Sequence, residues 1–348
     1  MQIEDRLVNL QAKLAEHEVD LIAISPTANM LFLLGFVPHA DERLCILFIN
    51  RHTTCMLVPS LNLEEVASHT KISLISWEDA EGPQKALHQL RASLGMPPTF
   101  AVDNTMRADH LLLLQEAFVP FRLIAADILL APLRTYKSAQ EIAALKRAAV
   151  QADLAMQAAI DACQPGVSET EVAWEAEAAF RRDGAEEVCF TLVASGPNGA
   201  FPHHHSGERK LQKGDAIVID IGASLNGYKS DITRMVHLGE PSAEFLQVYA
   251  AVLEANQQAM AAVKPGVAAE EIDHQARSTL EETGYGQYFT HRTGHGIGLE
   301  VHEPPYIMAG NKTLLQEGMV FSIEPGVYLN GRYGIRIEDI VAVNETGM

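Results

Sequence analysis

Two aspartates flank a tight-turn signal in the second half of this 348-residue chain. Asp220 and Asp231 lie in apolar runs on either side of Asn226-Gly227, a dipeptide typical of two-residue β-hairpin turns. In the register that such a turn sets, Asp231 faces Gly222, and Asp220 lies diagonally across on the same face. Since glycine has no side chain, we expect open space beside the two carboxylates.

Carboxylates on the apolar face of a hairpin need positive charge, because burying them unpaired is very costly. A divalent metal ion is the simplest source. Arginine is the alternative, and either Arg234 or Arg336 could supply it. The hairpin alone is compatible with both.

A second acidic pair, this time of glutamates, flanks another Asn-Gly dipeptide. Glu324 precedes Asn330-Gly331, and Glu338 follows it. A two-residue turn would put the two carboxylates on opposite faces, whereas a three-residue turn from Asn330 to Arg332 would set them directly opposite each other. A shared site therefore requires the longer turn or a bulge.

Histidines interleaved with glycines lie between the acidic pairs, at His291, His295 and His302. Glycines permit close backbone approach, which favours a ligand role over an ordinary histidine. Four carboxylates and one imidazole can hold two divalent ions, and this oxygen-rich set suits Mn²⁺ or Co²⁺ at least as well as Zn²⁺. Such a pair activates water for attack on an amide carbonyl, so we predict metal-assisted hydrolysis. The trio His203-His204-His205 is typical of a solvated loop, in which we expect at most one to take part.

The elements that would position these residues form an internal repeat. Residues 164–167 read Gln-Pro-Gly-Val and residues 264–267 read Lys-Pro-Gly-Val, each between an Ala-rich helix and a second helix followed by strands. The match indicates a duplicated unit, with two coincidental helix joints as the alternative. A duplication would place the chemistry between its halves.

The first part of the chain alternates helical and strand patterns, which predicts an α/β domain. It holds no recognisable cluster of catalytic residue types. Ser138 and Glu141 then form a capping box that opens a long helix. We predict domains at residues 1–131 and 132–348. In the first predicted domain, strand-like runs occupy residues 21–24, 44–48, 54–58, 72–75 and 100–102.

Composition narrows the function further. A formal charge of −19 argues against binding to nucleic acid, and no apolar run approaches the roughly 20 residues of a membrane span. The four cysteines are scattered, so we expect reduced, mostly buried thiols. Because the N-terminus also lacks a signal-peptide pattern, we expect a cytoplasmic protein.

At these residues the chain resembles the pita-bread metallopeptidases, within them the Xaa-Pro dipeptidase (prolidase) and aminopeptidase P branch. The resemblance runs through nearly the whole chain and is strongest between residues 194 and 339. The N-terminal Asn29-x-x-Phe32-x-x-Gly35-Phe36 looks like the start of the family's creatinase-like domain. The resemblance implies an α/β creatinase-like domain followed by an α+β pita-bread domain with a pseudo-two-fold repeat. Five positions match the family's metal ligands: Asp220, Asp231, His295, Glu324 and Glu338.

The resemblance also implies a role for each ligand. Asp231 and Glu338 would bridge two metals, Asp220 would complete one coordination sphere, and His295 with Glu324 would complete the other. Glu324 would also carry a proton from the attacking water to the leaving proline nitrogen.

Other residues would act on the substrate. By the resemblance, His203 and His302 would stabilise the oxyanion of the tetrahedral intermediate, and His291 would line the proline pocket. Arg336 would orient Asp220, and His204 and His205 match nothing essential. Relatives continue for a further strand beyond Met348, which leaves the five ligand positions unaffected.

We therefore predict hydrolysis of the bond between an N-terminal residue and proline in short peptides, by a homodimer with no nucleic-acid or membrane partner. Dipeptidase and aminopeptidase activities both fit the sequence. A general aminopeptidase, or another dimetal hydrolase or lyase on the same fold, is the alternative. The metal-free creatinase branch and the peptide-binding modules of this fold lack the five ligands, which counts against both.

Overall fold

The computed structural model describes residues 3–118 and 122–348. These residues form two compact units, Met1–Arg134 and Thr135–Met348. Within the described ranges, no helix has both the length and the apolar character needed to cross a membrane. All four cysteines are free thiols; Cys45, Cys55 and Cys163 are buried, and Cys189 is half-buried.

The first unit is an α/β domain, as the pattern predicted. Its strands are β1 (Leu21–Ile24), β2 (Ile46–Asn50), β3 (Thr54–Pro59), β4 (Ser73–Trp77), β5 (Thr99–Val102) and β6 (Arg122–Ala125). Its helices are α1 (Ile3–Glu16), α2 (Ala28–Leu34), α3 (Leu63–His69), α4 (Gln84–Leu94), α5 (Ala108–Phe118) and α6 (Asp127–Thr135).

These strands form one mixed sheet in the order β4-β3-β2-β1-β5-β6. Every residue of β1 is buried at the centre of the sheet, which explains why its continuous apolar run was recognisable. Strand β6 was not predicted. It lies at the edge of the sheet and is largely exposed, so it carries no apolar pattern.

The second unit contains two helix pairs, each followed by strands. The helices are α7 (Ala139–Ala162), α8 (Glu169–Arg182), α9 (Ala243–Ala262) and α10 (Ala269–Glu282). The strands after α8 are β7 (Glu187–Ser195), β8 (Ala216–Leu225), β9 (Tyr228–Lys229) and β10 (Ile232–His237). The strands after α10 are β11 (Gly294–Gly296), β12 (Glu303–Ile307), β13 (Val320–Ile323), β14 (Gly326–Leu329), β15 (Tyr333–Arg336) and β16 (Asp339–Ala342). Short 3₁₀ turns occupy Ser60–Asn62, Gly196–Ala200 and Gly286–Tyr288.

The two halves of this unit repeat the same local geometry, which confirms the predicted duplication. Gly166 and Gly266 have φ angles of 92° and 85°, values that favour glycine. Their N–H groups donate to the carbonyls of Leu211 and Leu315, both at 2.8 Å. Each helix pair covers its own strands with a separate apolar core. Two coincidental helix joints would not share these contacts.

The first hairpin has the predicted register. Asn226 and Gly227 both have positive φ angles, as a two-residue turn of this kind requires. Asp220 is paired with Thr233 across β8 and β10, and the same register sets Asp231 against Gly222.

The expected open space at Gly222 was wrong. A methyl group there would lie 2.6 Å from the Phe190 ring and would also overlap the Ser230 carbonyl. Glycine is required because the neighbouring chain approaches closely, not because the site needs room.

The second hairpin resolves the register that the sequence left open. Leu329 pairs with Tyr333, which leaves a three-residue turn of Asn330 to Arg332. The pairing continues in the same register from β14–β15 into β13–β16, where Ile323 pairs with Asp339. Glu324 and Glu338 therefore lie opposite each other where the two ladders meet, as a shared site requires.

Candidate active site

One cavity of about 810 Å³ in the second unit brings together all nine predicted site residues. The first half contributes the two aspartates and a histidine from the segment after β7, and the second half contributes the rest. The nine residues are His203, Asp220, Asp231, His291, His295, His302, Glu324, Arg336 and Glu338.

The side chains of the predicted ligands converge across the two halves. His295 Nε2 lies 3.2 Å from Glu324 Oε1 and 3.7 Å from Asp231 Oδ2. Ligand atoms of Asp231, His295 and Glu338 all lie within 4.8 Å of one another. Donor atoms this close can share one cation.

Backbone contacts set the orientation of the histidine. His295 Nδ1 lies 3.1 Å from the Gly296 carbonyl, which can only accept a hydrogen bond. Nδ1 therefore donates to this carbonyl, and Nε2 faces the carboxylates. Ser322 Oγ accepts from the His295 N–H and donates to Glu324 Oε1, so one hydroxyl positions both.

Burial and mutual repulsion oppose charge on three of the four carboxylates. Burial raises the pKa of Asp220, Asp231 and Glu338, and neighbouring carboxylates raise each further. Burial also acts to raise the pKa of Glu324, but the hydrogen bond and charge of His295 outweigh it and lower that pKa to about 2.

The protein supplies only part of the positive charge that these groups need. Arg336 Nη2 donates to Asp220 Oδ2 at 2.6 Å, while Arg234 pairs with Asp339 instead. Two buried oxygens of the four carboxylates, Asp220 Oδ1 and Glu338 Oε1, have no hydrogen-bond partner among the described residues. Unpartnered oxygens on carboxylates that repel one another fit a site for divalent cations.

Arg336 also connects the carboxylates to a network that was not predicted. Its Nε donates to Thr233 Oγ1, which donates in turn to Glu338 Oε2 at 2.8 Å. Its Nη1 donates to the Tyr328 hydroxyl at 3.0 Å. The available sequence signal was the position of Thr233, two residues after Asp231.

Tyr328 extends this network to His291. Because the Tyr328 hydroxyl accepts from Arg336, its hydrogen is free to go to His291 Nε2, 2.8 Å away. His291 Nδ1 donates to the Arg292 carbonyl at 2.7 Å. Burial lowers the pKa of His291, which favours the neutral ring. Because both ring nitrogens are hydrogen-bonded, the ring presents an apolar surface to the cavity.

The other two histidines differ in environment. The His302 ring lies edge-on to His295, with 4.2 Å between centroids. Burial, followed by the charges of His295 and Arg292, lowers the pKa of His302 to about 4, so this imidazole is neutral at pH 7. His203 is exposed on the cavity wall.

Two further residues were missed. His204 is not simply solvated, because its Nε2 lies 2.8 Å from the fully buried carboxylate of Glu169. Arg292 lines the cavity and stacks over the Tyr306 ring at 4.6 Å. Neither contact carries a local sequence signal, since Glu169 reads as part of a helix start and Arg292 as a neighbour of His291.

The chain was also compared with known proteins. Residues 143–345 match metallopeptidase family M24, and residues 6–158 match the creatinase/prolidase N-terminal domain. A probable dipeptidase PepE of Mycobacterium bovis is 39% identical, over 98% of this chain and 92% of the relative. An Xaa-Pro dipeptidase of Pyrococcus furiosus is 34% identical, over 99% of this chain and 97% of the relative. The crystal structure of a recombinant prolidase from Thermococcus sibiricus matches with a TM-score of 0.96 and 37% identity, over 100% of this chain and 96% of that one.

These matches confirm the predicted architecture, a creatinase-like domain followed by a pita-bread domain. They cover both domains and nearly the full length of the relatives. The convergent carboxylates and histidine lie inside the matched catalytic region. The chain belongs to metallopeptidase family M24 and is a hydrolase whose family membership implies divalent metal ions.

Proposed function

We propose that this protein is an Xaa-Pro dipeptidase with a dinuclear metal centre. The observation that carries the proposal is the convergence on one cavity of four carboxylates, two of them buried, and one buried imidazole, with too little positive charge around them. The names of its relatives, Xaa-Pro dipeptidase and prolidase, support proline specificity. Catalysis would reside in residues 132–348, with residues 1–131 as the N-terminal domain. A cytoplasmic location and a homodimer stay predictions.

Five residues would hold the metals, with Mn²⁺ or Co²⁺ favoured over Zn²⁺ by the oxygen-rich donor set. These five are Asp220, Asp231, His295, Glu324 and Glu338, and ligand atoms of Asp231, His295 and Glu338 already lie within 4.8 Å of one another. When bound, the two ions would supply Lewis-acid activation of water and of the scissile carbonyl.

The remaining groups would act directly on the substrate. Glu324 would take a proton from the attacking water and pass it to the leaving proline nitrogen. His302, neutral at pH 7, can donate an N–H to the oxyanion, and His203 would be a second donor. The His291 ring would pack against the pyrrolidine ring.

Arg292 favours dipeptides over longer peptides. It is half-buried in the cavity wall, and none of the described carboxylates pairs with it. Its charge contributes to the lowered pKa of His302, so it lies near the reacting groups. A dipeptide carries its carboxylate directly on the proline residue. An arginine can bind such a carboxylate with two parallel hydrogen bonds.

Substituting Glu324 and His302 separates metal binding from action on the substrate. Glu324→Ala should lose bound metal together with turnover, because a ligand is removed. His302→Ala should keep both metals and lose on the order of 10²-fold in kcat, as expected for one oxyanion donor. Metal analysis and steady-state kinetics on the same preparations give the answer. Metal loss in His302→Ala would make this histidine a ligand instead.

Proline specificity is tested by comparing Ala-Pro with Ala-Ala. The tertiary amide of Ala-Pro has no N–H, whereas Ala-Ala would bury an unpaired donor at a cost of about 1–3 kcal/mol. This cost corresponds to roughly 5- to 150-fold in kcat/KM. Equal kcat/KM values for the two would identify a general aminopeptidase.

The role of Arg292 is tested with Arg292→Gln on two substrates. A charge-assisted bond of about 1.5–3 kcal/mol predicts a rise in KM for Ala-Pro of roughly 10- to 150-fold. Ala-Pro-Ala, whose carboxylate lies one residue further on, should show little change. An equal rise for both substrates would contradict carboxylate recognition, and efficient cleavage of Ala-Pro-Ala by the unmodified enzyme would identify an aminopeptidase.

A further inference from the structure

The wall of the cavity that carries His203 is a segment we call the His203 loop, residues 195–207. Five of its residues, 202–206, line the cavity. The His203 side chain is exposed on the cavity wall, and no hydrogen bond to another described residue holds it there. Its position must therefore be set by the loop around it.

A single carboxylate organises this loop. Glu169, the first residue of α8, is fully buried and accepts five hydrogen bonds from the loop. Its Oε1 accepts from the Ser195 N–H at 2.7 Å, the Ser195 hydroxyl at 2.6 Å and the Asn198 amide at 3.0 Å. Its Oε2 accepts from His204 Nε2 at 2.8 Å and the Gly207 N–H at 3.2 Å.

These bonds hold both ends and the middle of the loop. Ser195 and Gly207 are its ends, and His204 is the direct neighbour of His203. On its other side, the Gly199 backbone lies against the Gly334 backbone of the second hairpin, so closely that Gly334 has no room for a side chain. The loop is thus fixed between α8 and the hairpin that carries Glu338.

Glu169 is an unusual residue to bury for stability alone. A buried carboxylate is costly even when every oxygen is paired, and a well-packed apolar group of similar size often serves as well. Its five donors come from four residues of the loop. A single acceptor with two oxygens can position so many groups because each carboxylate oxygen accepts more than one bond.

We propose that Glu169 is a positioning residue, which acts through His204 and the loop backbone to hold His203 at the reacting carbonyl. The inference rests on the proposed role of His203 as an oxyanion donor. Glu169 itself does not line the cavity and would not touch the substrate. Its substitution should therefore affect turnover more than substrate binding.

The test is Glu169→Gln, with Glu171→Gln as the matched control. The glutamine amide nitrogen cannot accept, so either the Ser195 side or the His204 side of the network is lost. Glu171 lies on the same turn of α8, but its carboxylate is exposed and binds Ser168 and Lys210 rather than the loop. We expect kcat for Ala-Pro to fall by about 10- to 10²-fold in Glu169→Gln and less than about twofold in Glu171→Gln. Metal content and KM should be unchanged in both.

A double-mutant cycle with His203→Ala separates positioning from general structural support. If Glu169 acts through His203, the loss caused by Glu169→Gln should largely disappear once His203 is absent. An equal loss of kcat in both backgrounds would overturn the proposal while leaving the role of His203 intact. No effect of His203→Ala on kcat would refute the oxyanion role, and with it the inference.

His204 provides a second route if Glu169→Gln does not fold. His204→Gln keeps an N–H at the ε position and should retain most of the activity, whereas His204→Leu removes the donor and should lose about tenfold in kcat. The loss in His204→Leu should also vanish in the His203→Ala background. Equal activity of the Gln and Leu variants would contradict the proposal.

Discussion

Four carboxylates converge on one cavity of the second unit, and their mutual repulsion is the constraint that the rest of the site must satisfy. Burial and neighbouring negative charge raise the pKa of Asp220, Asp231 and Glu338. Arg336 pairs with Asp220, and His295 lies close to Glu324 and Asp231, so the cluster holds fewer positive groups than carboxylates. These carboxylates can stay ionised together only when further cations are present. The repulsion that destabilises the metal-free protein therefore favours metal binding.

The duplicated halves of the second unit bring the four carboxylates together. Each half contributes one hairpin with one acidic pair, and the continuous register of each hairpin fixes the spacing of its carboxylates. The network of Arg336, Thr233 and Tyr328 then couples the two hairpins to His291. The proposed metal ligands and the proposed proline pocket therefore share one set of hydrogen bonds.

Local rules were enough to predict part of the site from the sequence. The Asn226-Gly227 turn fixes its register through backbone geometry alone, so the alignment of Asp220 and Asp231 could be predicted. The second turn could not, because Asn330-Gly331 is compatible with two loop lengths. The residue types and spacings of the five proposed ligands were specific enough to single them out in the sequence, and the structure brings them to one cavity. Contacts between residues distant in sequence were beyond local reasoning. The close approach of Phe190 to Gly222, the pairing of Glu169 with His204 and the edge strand β6 all depend on tertiary packing.

The carboxylate cluster should bind two metal ions and need both for catalysis. Removing metal with a chelator and titrating Mn²⁺ back, while measuring bound metal and Ala-Pro hydrolysis on the same samples, tests this requirement most directly. We expect no activity in the metal-free protein and full activity only as two ions per chain are bound. A fully active preparation that contains at most one ion per chain would contradict the dinuclear centre.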